Sequence, residues 1–214
     1  GGGGDSEIDD AEHPLTARVF ANRVWHHLFG KGLVASVDNF GHMGRLPTNQ
    51  PLLDHLAVRF VEEGWSMKKL IREIVLSRTY QLSTDSGAQA KVDLENELHW
   101  RQNRRRLQAE SIRDAILSVS GQLDKTMGGP TIKTGTGIEY GYKFDDTRRS
   151  LYTPVFRNTP LEILAVFDFA DPNLVVGERT TSSVPTQALF LMNNPFVRQQ
   201  ACLLYTSDAA DDSL

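Results

Sequence analysis

Apolar residues recur at three- and four-residue spacing in several separate stretches of the chain, the period of a helix with one buried face. Leu15, Val19, Phe20, Val24, Leu28 and Phe29 form the first such set. With Pro14 suited to a first turn, they predict a helix over Pro14–Phe29, closed by Gly30 and Gly32. Asp38, Asn39, Gly41, Gly44 and Pro47 follow in close succession, turn chemistry that predicts an ordered loop over 34–47. A second helix starts at a Thr48 or Asn49 cap, carries Leu52, Leu53, Leu56 and Phe60 on its apolar face, and stops at Gly64. A third takes Ser66 as its cap, presents Met67, Leu70, Ile71, Ile74 and Val75 in one stripe, and runs to about Tyr80. The second and third helices are expected to pack as a hairpin.

The polar stretch 83–90 breaks the pattern, and helical signal resumes from about Asn96. Beyond Leu107, the residues Ile112, Ala115, Ile116 and Val119 face one way and Arg and Asp residues the other, with Gly121 as the stop. The glycine-rich stretch from Met127 to Tyr142 and the β-prone run Ser150–Phe156 predict a loop-rich part with room for a small β hairpin. A short helix is expected over Leu161–Phe167 and another over Pro185–Met192, interrupted at Asn193-Asn194-Pro195. The expected fold is mainly α, a helical domain over 13–201 preceded by a linker over 1–12.

Composition changes this picture at both ends. Four glycines and the acidic stretch Asp5–Glu12 open the chain and read as flexible linker. The last thirteen residues, Cys202–Leu214, shift to small and acidic composition with no capping signal. They resemble read-through of a sequencing adapter and are expected to be a non-native tail over 202–214. Setting them aside removes three aspartates, which takes the net charge from −4 to −1. A nearly neutral protein has no global electrostatic pull toward nucleic acid or anionic membrane. The tail also holds the single cysteine, Cys202, so no disulfide, thiolate zinc site or Cys-x-x-Cys-His haem attachment is expected in 1–201. No apolar run is long enough for a membrane span.

Three sets of side chains could carry chemistry. His26 and His27, with Asp38 and His42 on the following loop, suggest a His/Asp acid–base pair. Adjacent histidines on a helix diverge by about a hundred degrees and do not share one ion readily, so no metal site is expected. Arg101, Arg104, Arg105, Arg106 and Arg113 form the densest basic run, beside Trp100. It could hold phosphates, although Glu110 stands at helical pairing distance from Arg106 and Asp114 beside Arg113. Arg148, Arg149, Arg157, Asp168, Asp171 and Arg179 make a third set in the loop-rich part, suited either to an anionic or sugar ligand or to a network tying irregular backbone to helices. No phosphate-binding glycine fingerprint and no Gly-x-Ser-x-Gly elbow occurs.

Several segments carry a family resemblance in order: Asn22-Arg23-Val24-Trp25-His26-His27-Leu28-Phe29-Gly30, Asp38-Asn39-Phe40-Gly41, Pro51-Leu52-Leu53-Asp54, Arg105-Arg106-Leu107-Gln108-Ala109-Glu110-Ser111-Ile112-Arg113-Asp114, Met127-Gly128-Gly129-Pro130, Arg148-Arg149-Ser150-Leu151-Tyr152 and Pro185-Thr186-Gln187-Ala188-Leu189. Together they resemble the planctomycete-specific C-terminal domain of unknown function, which occurs in large proteins that also carry cytochrome-c-like domains. Asn39 departs from that pattern, standing where a second acidic residue is expected. The resemblance implies an extracytoplasmic or cell-surface multidomain protein connected with surface redox chemistry or polysaccharide metabolism. Any haem would belong to another domain of the parent protein. The leading expectation is an interaction or scaffold module whose partners are the parent protein's other domains, with polysaccharide as a further candidate. The alternative is a hydrolase or lyase acting on carbohydrate through a His/Asp pair, and third comes nucleic-acid binding through Arg101–Arg113.

Overall fold

The computed structural model describes residues 14–40, 43–85, 87–132, 135–136, 142 and 144–211. Among these it is mainly helical and contains no strand. The α-helices are α1 (Pro14–Phe29), α2 (Gln50–Glu62), α3 (Met67–Val75), α4 (Ala109–Val119), α5 (Glu162–Val166), α6 (Pro185–Asn193) and α7 (Pro195–Asp211), with 3₁₀ turns at Ala88–Lys91 and Ser150–Tyr152. The chain divides into two compact units, Gly1–Arg105 and Arg106–Leu214, each with its own hydrophobic core.

In the first unit α1, α2 and α3 pack on one another. Their core is built from Ala21, Trp25 and Phe29 of α1, Leu53, Leu56 and Phe60 of α2, and Leu70 and Ile74 of α3. The α1 face is rotated from the expected one: Ala17, Ala21 and Asn22 are buried, whereas Leu15 and Phe20 are largely exposed. Small residues let the neighbouring backbone come close, and Asn22 uses its full amide, accepting from Val34 N at 2.8 Å and donating to Val34 O at 3.0 Å. Asn49 caps α2 by accepting from Leu52 N at 3.1 Å.

The end of α2 is a Schellman motif. Trp65 N donates to Phe60 O at 2.9 Å and Gly64 N to Val61 O at 2.9 Å, with Gly64 and Trp65 both left-handed at φ 69° and 58°. A bulky residue at positive φ is strained. Here the Trp65 ring meets Phe60 edge-on at 5.1 Å, the hydrophobic contact that accompanies this cap.

Helix α3 ends at Val75, not near Tyr80, and Ser66 makes no side-chain cap. The Ser77 hydroxyl accepts from Tyr80 N, a local turn that competes with helix continuation. The turn sets Tyr80 edge-on against Phe29 at 5.6 Å. Nor does helix resume at Asn96. Asn96 and His99 adopt φ 54° and 51°, and the Asp93 carboxylate accepts from Glu97 N and Leu98 N at 2.9 Å each, folding the segment into turns.

The second unit is organised on α4, which contacts α5, α7 and the Ser150–Tyr152 turn. Ala109, Ile163, Leu164, Phe167 and Phe190 form its core cluster, with Ile112 and Ile116 packed against them. The most buried line of α4 is Ala109, Arg113 and Leu117, while Val119, expected on the apolar face, is exposed. Among the described residues the loop-rich part holds no hairpin, only a single parallel bridge between Asp124 and Arg148. The β-prone run turns into 3₁₀ structure because Asp114 takes both Ser150 N and Ser150 Oγ, at 2.7 and 2.6 Å. Asn194 separates α6 from α7 and caps the latter through Phe196 N at 2.9 Å. No Gly or Pro lies between Phe196 and Asp211, so α7 runs through Cys202 to Asp211 without a break.

Candidate functional site

In the first unit the candidate His/Asp residues lie at the C-terminal end of α1 and beyond it. His26 is half-buried and His27 exposed, their rings edge-on at 5.5 Å. Asp38 is exposed on the loop. His42 lies outside the described residues. Among the described residues no group of three or more His, Cys, Asp or Glu is arranged to hold a metal ion.

The same helix end is tied to the segment 93–105. Arg105 donates from Nη1 to the His27 carbonyl, satisfying one of the carbonyls a helix end leaves unpaired. The fit needs a glycine, because a Cβ on Gly30 would stand 2.6 Å from Arg105 Cδ. Asn103 Nδ2 donates to Phe29 O at 3.2 Å, and buried Asn96 donates to Asn103 Oδ1 and Arg101 O at 2.9 and 2.8 Å. His99 is wedged between Trp25 and Phe29, with both ring centroids 5.2 Å away. Burial pushes the His99 pKa below its ordinary value, partly offset by Asp93. Its Nδ1 is buried without a partner among the described residues. Beside this segment lies a cleft of about 490 Å³ whose walls include Lys31, Glu95, Arg101, Arg104 and Arg105.

In the second unit the third set splits into separate networks. Arg113, at the centre of α4, donates to the carbonyls of Asp146 and Arg148, the latter at 2.9 Å, and to Ser150 Oγ at 3.2 Å. Burial lowers its pKa, but a guanidinium stays charged at any working pH. Its partners are mostly carbonyl oxygens, with Asp114 at 3.8 Å. Arg148 stacks on Tyr152 at 4.7 Å, pairs with Asp146 at 2.6 Å, and donates to Gly128 O and Pro130 O at 2.7 and 2.9 Å. The hydrogen bond between them lowers the Asp146 pKa and raises that of Arg148.

Asp168 makes a second network. Held at φ 58°, it accepts from Ser182 N at 2.7 Å, Ser182 Oγ at 2.8 Å and Gln187 Nε2 at 3.4 Å. The Ser182 amide is the first cause of its lowered pKa. Gln187, almost fully buried, also donates to Val166 O at 3.0 Å and so joins α6 to α5. Arg106 donates to Ser182 O, and Arg179 pairs with Glu110 at 2.8 Å while stacking on Phe169. The expected Arg106–Glu110 helical pair therefore does not form: α4 begins only at Ala109, and Glu110 turns to Arg179. Arg149 and Arg157 are exposed, and Asp171 caps its own loop through Asn173 N at 2.8 Å.

Lys31, Asn96, His99 and Gln187 escaped the sequence reading as site residues. None belongs to a charge cluster, and although Gln187 sits in the Pro185-Thr186-Gln187-Ala188-Leu189 segment, only long-range pairing exposes their roles.

Neither curated proteins nor solved structures gave a match to the chain. Residues 6–212 match the family model PSD1, a protein of unknown function (DUF1553), a match that runs past Ala201 into the C-terminal stretch. The match covers nearly the whole sequence, and the chain belongs to this family.

Proposed function

We propose that this chain is an interaction module of a larger exported multidomain protein of the planctomycete type, and that it docks on another domain of that protein through the apolar surface of α6. The observation that carries this reading is the exposure of Leu189 at 55% and Met192 at 71% on one short helix. Beside them lies a groove of about 440 Å³ lined in part by Val166, Phe190 and Pro195. A contiguous exposed apolar patch on a folded domain marks an interaction surface. In this unit, most of the polar side chains that invite a ligand-binding reading are engaged in holding the fold: Asp168 is taken by Ser182 and Gln187, Arg148 by Asp146 and two carbonyls, and Arg179 by Glu110. A haem, in a cytochrome-c-like neighbour, would be held by that neighbour's own ligands, and a surface-polysaccharide setting would follow from the parent protein.

The test is to express the remaining domains of the parent protein separately and measure their binding to this chain. Leu189→Asp with Met192→Asp should weaken the complex at least tenfold while helical circular dichroism is retained. Undiminished binding by the folded double variant would overturn the docking surface.

A further inference from the structure

The basic cleft of the first unit goes beyond the docking reading, lies in the other unit, and stands or falls separately. Four cations, Lys31, Arg101, Arg104 and Arg105, face it with one carboxylate, Glu95. A second carboxylate, Glu97, approaches Lys31 only to 3.6 Å, and Glu97 is half exposed, so the pair offsets little of that charge. Like charges brought together need a counterion or a ligand to balance them.

The cleft is also built. Arg105 is fixed across the end of α1 by the His27 carbonyl, in the space Gly30 leaves open. Arg101 is held through its backbone, which donates from N to Asn96 Oδ1 at 3.3 Å and accepts from Asn96 Nδ2 at 2.8 Å. Its guanidinium lies 5.2 Å over the Trp100 ring. The Arg101 Nε is buried with no acceptor among the described residues. A donor on a charged group is costly to leave unmet.

We propose that this cleft binds a compact tetrahedral oxyanion, a phosphate or sulfate ester on a small molecule. A carboxylate is satisfied by one bidentate arginine, whereas three guanidiniums and an ammonium around one space match a group that offers three acceptor oxygens. The volume is that of a small-molecule site. A nucleic-acid strand fits less well, because strand grooves offer aromatic faces to successive bases. Here Arg101 covers Trp100 and Phe29 is buried.

The experiment is calorimetric titration of the whole chain with inorganic phosphate, sulfate, acetate and chloride at constant ionic strength, then with a phosphate monoester, a sulfate monoester and an oligothymidylate. Arg104→Gln removes an exposed cation that makes no structural bond among the described residues, and Arg101→Gln removes the buried donor. Arg72→Gln, on α3, is the control. Phosphate or sulfate should bind once per chain, at least tenfold tighter than acetate. Each cleft variant should weaken that binding fivefold or more, with the control unchanged. The better of the two monoesters identifies the ester class. Binding that tracks ionic strength alone, acetate as tight as sulfate, cleft variants that bind like the parent, or affinity that grows with oligothymidylate length would each overturn the proposal.

Discussion

Arg113 occupies a position that a leucine would ordinarily take, one turn from Ala109 and one from Leu117 on the buried line of α4. It is tolerated there because its planar fork reaches two carbonyls and a hydroxyl on the segment 146–150. Arg113→Met fits the space but strands those acceptors. Urea unfolding should show a loss of about 3 kcal/mol, and Arg113→Lys should recover little of it. His99 poses the opposite problem, a titratable ring kept neutral by burial. Its folded pKa lies below the unfolded value of about 6.5, so on acidification the unfolded chain takes up the proton first. The stability His99 contributes is thus present above about pH 6.5 and is lost as pH falls below it, toward the depressed folded pKa. His99→Asn, which accepts the left-handed backbone, should flatten that part of the profile. Parallel urea midpoints at pH 7.5 and 5.5 decide it, and equal slopes for parent and variant would reject the role given to His99.

Helix boundaries depend on local chemistry that can be removed one bond at a time. Gly64→Ala places a Cβ in open space, so its whole effect is the backbone strain of φ 69°, about 1 kcal/mol. Asn49→Ala removes the α2 cap and should also cost about 1 kcal/mol. The two sites bracket one helix at opposite ends, so the double variant should lose the sum, measured by chemical denaturation. These signals were legible: the Asn49 cap, the Gly64 stop and the Asn193-Asn194-Pro195 break all act locally, through bonds within a few residues. The misreadings have a common cause. Asn96 carries a helical-looking pattern, but its left-handed backbone is set by bonds to Arg101 and Asn103, and Ser150 leaves the extended state because Asp114, 36 residues away in sequence, takes its amide.

Two separate cores predict two cooperative units in stability. Phe60→Ala and Leu164→Ala each remove a buried anchor, worth about 3–5 and 2–5 kcal/mol, from the first and second units respectively. Scanning calorimetry should resolve two transitions, with each substitution lowering one and leaving the other in place. A single transition moved by both would show that the chain melts as one. The sequence by itself determined that the protein is helical, where five of its helices begin, and that α2 and α3 bury Leu53, Leu56, Phe60, Leu70 and Ile74, though not Met67, because 3.6-residue periodicity and capping are properties of neighbouring residues. The tertiary structure alone decided which charges remain for a ligand. Arg113, Arg148 and Arg179 are drawn into the fold by partners elsewhere in the chain, while Arg101, Arg104 and Arg105 are gathered with Lys31 around one cleft, Arg105 with one nitrogen already on the His27 carbonyl. A guanidinium's partner is chosen by where the backbone has already been placed, and no local pattern in the sequence records that.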